Sequence, residues 1–230
     1  MSESAFNRRK STQTGFTLVE IAIVLVIIGL LLGGILKGQE MITQAKIKNI
    51  VNDFNGITVA VTSYQDRYRA IPGDDRNATV RWAVQNPASG NGDGVIAGKY
   101  KATPSAPPVA AEESNLFWQH LRIAGFVAGA TTGAASGTQP INAAGGFIGV
   151  ESGLPGTRGM GFSSLILCFS NLPEKIASAV DGQMDDGVPN TGQVRAQLGG
   201  SNPDTATDAP GAATAYVETG VNQYLMCKNY

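Results

Sequence analysis

Apolar positions run almost unbroken from Phe16 to Leu36, where Glu20 is the single charge in 21 residues. At about 1.5 Å per residue, a helix of that length matches a bilayer core of about 30 Å, so the segment is predicted to span a membrane. Beyond Lys37 the pattern becomes periodic. Ile47, Ile50, Val51, Phe54, Ile57, Val61, Tyr64 and Tyr68 recur at three- and four-residue spacings, with Lys46, Lys48, Asp53 and Asp66 off that stripe. The same helix should therefore continue in amphipathic form to Ala70, stopped by Ile71 and Pro72, because proline lacks a backbone donor and biases the residue before it away from helix.

From residue 71 onward, short apolar runs alternate with Gly, Asn, Asp and Pro clusters, and no fixed-period repeat is visible. "ESNLFWQHLRIAGF" reads as a helix with Ser114 as its N-cap and Gly125 as its stop, and "PEKIASAVD" (173–181) as a short helix begun by Pro173. Strands are predicted at 146–150, 163–170, 192–196 and 222–228, and exposed loops at 103–111 and 199–214. The expected fold class is α+β: a long N-terminal, partly transmembrane helix packed on a small antiparallel sheet.

Composition adds two constraints. Net charge is −1 and only 15% of residues are charged, while Gly (29) and Pro (11) are abundant, which fits a loop-rich body and gives no sign of a nucleic-acid partner. The two cysteines, Cys168 and Cys227, can pair if the body lies outside the cytoplasm, closing a loop of about 60 residues with a stabilisation of about 4 kcal/mol on the chain-entropy account. The alternative is two buried thiols; the membrane segment favours the disulfide.

The N-terminus carries the most specific signal. A cleaved secretory signal would end in a small-residue site, whereas "LKGQEMITQAK" follows this apolar run. Arg8, Arg9 and Lys10 face Lys37, Lys46 and Lys48 across the segment, so basic residues orient it weakly; the short tail and the expected disulfide favour an N-terminus inside. "GFTLVE" (15–20), after a short basic leader and directly before the apolar helix, resembles the class III signal of type IV prepilins and type II secretion pseudopilins, a resemblance that extends to about Tyr68. It implies a pilin-like roll divided into a leader (1–15), a transmembrane or filament-core helix (16–36), a continuing amphipathic helix (37–70) and a periplasmic or extracellular body (71–230). It further implies cleavage by prepilin peptidase between Gly15 and Phe16, methylation of the Phe16 amine, and a Glu20 carboxylate that meets that amine on a neighbouring subunit. The partners it implies are like and related pilin subunits and an inner-membrane assembly platform with a separate ATPase. The implied location is the bacterial inner membrane, N-terminus cytoplasmic, and then a filament. Many major pilins have a proline in the first helix; here Gly29, Gly33, Gly34 and Gly38 stand in that region, which leaves pseudopilin or minor pilin against major subunit open.

Catalytic chemistry is sparse. His120 is the only histidine, which rules out a His-based metal cluster, and neither a G-x-S-x-G elbow nor a phosphate-binding G-x-x-x-x-G-K-[ST] loop occurs. No enzyme is expected. "SGNGDGVI" begins like an EF-hand loop but places Tyr100 where the bidentate Glu should sit. A weak Ca2+ site on Asn91, Asp93, Asp185 and Asp186 is the one metal reading; turn formation by Asp-Gly and Asn-Gly is the favoured alternative, so no cofactor is expected. Trp82, Phe117 and Trp118 read as core. The rival to a filament subunit is a membrane-anchored extracellular binding module, an adhesin or receptor, that keeps its leader.

Overall fold

The computed structural model describes residues 17–199, 202–206 and 215–230, so Gly15 and Phe16 lie outside the described residues. The chain divides into two compact units, up to Thr43 and from Gln44 onward. Helix α1, Leu18–Tyr68, begins in the first and ends in the second. In the first unit every residue from Thr17 to Lys37 is exposed, and this stretch is long and apolar enough to cross a membrane.

In the second unit α1 buries Ile47, Ile50, Phe54, Ala60, Val61 and Tyr64, which is the predicted stripe with Ala60 added. Val51, Ile57 and Tyr68 pack at its margin. The helix ends two residues before the predicted point, and Arg69 adopts a left-handed φ of 55°. A short helix α2 (Ala78–Arg81) follows, then α3 (Glu113–Ile123) and the short α4 (Ala134–Gly137). The sheet consists of β1 (Ile148–Ser152), β2 (Leu165–Pro173), β3 (Val194–Leu198) and β4 (Gln223–Asn229), and α5 (Glu174–Met184) leads from β2 toward β3. All pairings are antiparallel in the order β1-β2-β4-β3, so the last strand of the chain lies inside the sheet.

Each predicted strand is present, displaced by one to three residues. β2 runs further than its apolar run because a bulge between Phe169 and Leu172, with Asn171 at φ 56°, carries it past the polar Ser170 and Asn171. The core forms where this sheet meets α1 and α3: Phe54 stacks on Phe169 with ring centroids 3.8 Å apart, and Phe117 and Trp118 are fully buried. Cys168 and Cys227 sit directly opposite each other on β2 and β4 and form the disulfide.

Two local expectations change. Ser114 lies inside α3; the N-cap position falls to Glu112, and Gly125 follows the C-cap Ala124 at φ 79°, as a helix-stopping glycine does. Pro173 stands at the N-cap of α5, one position earlier than predicted. Helix α3 is also unusual for its composition, since Glu113 to Leu121 are all buried although five of the nine are polar. A helix buried all round is ordinarily apolar. Here Glu113 and His120 hold the surrounding loops.

Candidate functional site

Glu20 projects from the first turn of α1. The Thr17 amide and hydroxyl both donate to Glu20 Oε2 at 2.8 Å, and the Glu20 amide donates to Thr17 Oγ1 at 3.3 Å. This is a reciprocal capping box, which satisfies free amides at the helix start. The carboxylate also sits at the positive end of the helix dipole, the favourable end for an anion. The T-x-x-E spacing at 17–20 carries this signal in the sequence. Glu20 Oε1 makes no hydrogen bond among the described residues, so the cap occupies one oxygen and leaves the other open.

Residues 10–36 match the prokaryotic N-terminal methylation motif. The N-terminal segment is thus a class III signal of the type IV pilin and pseudopilin kind, joined here to an α+β body consistent with a pilin-like fold. The motif supports a pilin-like precursor, points to a structural subunit and is consistent with inner-membrane anchoring. Comparison with curated proteins gives no match to the chain.

In the second unit six carboxylates are buried among the described residues: Asp74, Asp75, Glu113, Glu151, Glu174 and Asp181. Five of them clamp loops through backbone amides. Asp74 accepts from the amides of Gly92, Asp93 (3.2 Å) and Gly94 (2.8 Å), and Glu113 from those of Asn91 and Ala97, each at 2.9 Å. Glu174 takes the amides of Thr219 (2.9 Å) and Gly220, and Glu151 takes the Tyr100 amide at 2.9 Å and the Thr205 hydroxyl. Asp75 accepts from Tyr64 Oη at 2.7 Å, from the Asn77 amide at 2.9 Å and from Arg81, joining α1 to α2. Burial opposes ionisation of Asp75, but the bonds from Tyr64 and Arg81 prevail and hold it below its ordinary value. At Glu113 and Glu151 burial dominates and raises the carboxyl.

This arrangement separates the residues considered for a metal. Asp93 groups with Asp74 and Glu113, whereas Asp185 and Asp186 group with Asp181. In the first group, Asp74 and Glu113 already accept five amide bonds with all four oxygens, and Asn91 donates to Asp93 at 2.8 Å; it is a loop clamp. His120 is fully buried, accepts from the Gly73 amide at Nδ1 (2.9 Å) and lies 3.0 Å from Ala88 O through Nε2, which fixes the Nε2–H tautomer. Burial pushes it down to about 4. As the only histidine, His120 carries no role that the sequence alone makes visible. Its two bonds reach segments 32 and 47 residues away, a distance no local pattern reports.

Proposed function

We propose that this chain is the precursor of a subunit of a type IV pilus-like or type II secretion pseudopilus filament, a pseudopilin or minor pilin. Prepilin peptidase cuts between Gly15 and Phe16 and methylates the new amine, and the mature subunit polymerises through its N-terminal helix. The observation that carries this reading is the coincidence of the methylation motif with the start of α1, where the exposed apolar stretch from Thr17 to Lys37 carries one carboxylate, Glu20. In an apolar assembly an unpaired acid is costly, by about 2.5–3.5 kcal/mol at a bilayer centre and less near its edge, and a cationic amine beside it recovers part of that cost. Glu20 Oε1, left open by the capping box, is the acceptor for the Phe16 amine of a neighbouring subunit. Assembly is driven by a separate ATPase at an inner-membrane platform, since the chain has no phosphate-binding loop of its own.

The test is the mass and N-terminal sequence of the protein recovered from cells with active prepilin peptidase. A chain beginning at Phe16 and bearing one methyl group is expected. An intact leader would overturn the reading in favour of a membrane-anchored binding module.

A further inference from the structure

Asn77 is the one asparagine in the chain that is followed, two residues on, by serine or threonine. The N-x-[ST] spacing of Asn77, Ala78 and Thr79 is that of an N-glycosylation acceptor, which needs a surface position on a body outside the cytoplasm. Asp75, two residues ahead, adds a carboxylate that a glycosyl-transferring enzyme can read by an ion pair.

The fold presents the acceptor amide to solvent. Asn77 is exposed just ahead of α2, and although asparagine commonly caps a helix, this side chain makes no cap bond and no other hydrogen bond among the described residues. It borders an open polar hollow together with Tyr68, Arg69 and Arg76. Val80, three residues further on, is 82% exposed, and Val84 93%. A saccharide suits such mixed surroundings: its C–H faces pack on apolar side chains while its hydroxyls bond to polar ones.

The side chains that an enzyme would read on either side of Asn77 are, by contrast, tied down. Thr79 Oγ1 donates to Pro87 O at 2.7 Å, and the Thr79 amide donates to Ser89 Oγ at 3.1 Å. Asp75 is buried, accepting from Tyr64 Oη at 2.7 Å, from the Asn77 amide at 2.9 Å and from Arg81. An enzyme that reads both must meet this stretch before those bonds form. Once they have formed, only the Asn77 side chain points out.

We propose that Asn77 is an attachment site for an N-linked glycan, modified before residues 75–89 close onto α1. The donor is an oligosaccharide carried on a polyprenyl pyrophosphate. Asn77 Nδ2 bonds to the anomeric carbon as the bond from that carbon to the pyrophosphate oxygen breaks; the lipid pyrophosphate leaves, and a base of the transferase takes the Nδ2 proton. This inference rests on the proposed function only for placing the body outside the cytoplasm, and needs no filament.

The experiment takes the full chain from the cells that naturally make it and reads its tryptic peptides by mass spectrometry. The peptide ending at Arg81 is expected to be heavier by whole sugar residues and to release saccharide ions on fragmentation. Asn77→Gln, at an exposed position, and Thr79→Val should each abolish the added mass, and Thr79→Ser should keep it. If Thr79→Val fails to fold, Asn77→Gln and Thr79→Ser decide. With a purified oligosaccharyltransferase and lipid-linked donor, a synthetic peptide of residues 71–90 should be modified much faster than the folded chain; equal rates would overturn the proposed order of events. A bare Asn77 in the natural protein, or added mass that survives Asn77→Gln, would overturn the site itself. The same digest reports the N-terminus, so a chain cut at Phe16 with a bare Asn77 defeats this inference alone, and an intact leader with a glycosylated Asn77 defeats the filament reading alone.

Discussion

His120 has both ring nitrogens committed to backbone atoms on two different loops, and its burial leaves no water to solvate a second proton. The pH dependence follows from its lowered value. Between the ordinary 6.5 and about 4, the unfolded chain takes up a proton that the folded chain refuses. Stability is therefore full above 6.5 and falls as pH drops through that window, by on the order of 3 kcal/mol from this residue. Glu113 and Glu151, raised by burial, act with the opposite sign just above the ordinary carboxylate range, because there the folded chain holds the proton more tightly. Denaturant unfolding from pH 7 to 4 separates the contributions: His120→Asn, which keeps an acceptor near the Gly73 amide, should lower stability at pH 7 and flatten the slope. An unchanged slope would remove His120 as its source. At Glu20, alanine should leave membrane insertion and cleavage intact and abolish incorporation into filaments; normal incorporation in a shear-and-pellet assay would remove its assembly role.

Among the elements, α1 and β2 meet in the core of the second unit through Phe54 and Phe169. Phe54→Ala, which removes a fully buried ring stacked on Phe169, should cost about 3–5 kcal/mol, measured by chemical unfolding. Val59→Ala, at an exposed position on the same helix, should change stability by about 0.5 kcal/mol or less. The α1 stripe was legible because a 3.6-residue period is written locally, and the strands were legible to within a few residues because apolar runs and turn clusters bound them. The carboxylate clamps were not. Asp74 meets amides 18 to 20 residues along the chain and Glu174 meets amides 45 and 46 residues along, so no local pattern reports that Asp74 holds "GNGDG". Likewise, Ser114 has the chemistry of an N-cap but lies inside a helix that begins one residue earlier. At the candidate sites, Glu20 could be read from its position in an apolar run. His120 could not, because its two partners lie 32 and 47 residues away in the chain.

For the molecule as a whole, the division at Thr43 and Gln44 separates a segment exposed along its apolar length from a body with its own core. A fragment beginning at Gln44 should therefore remain soluble without detergent, melt cooperatively and keep the Cys168–Cys227 bond; aggregation or a non-cooperative melt would show that the body needs the preceding segment. Reducing that bond, or replacing both cysteines with serine, should cost about 2–5 kcal/mol in chemical unfolding. The strand order carries a further consequence. Because β4 lies between β2 and β3, the middle of the sheet is completed only by Gln223 to Asn229, which follow both neighbours in sequence. During synthesis β2 cannot gain its inner neighbour until Gln223 to Asn229 have been made, and Cys168 waits with it for Cys227. Until then β3 has no strand to pair with, so the sheet closes only when those seven residues are in place.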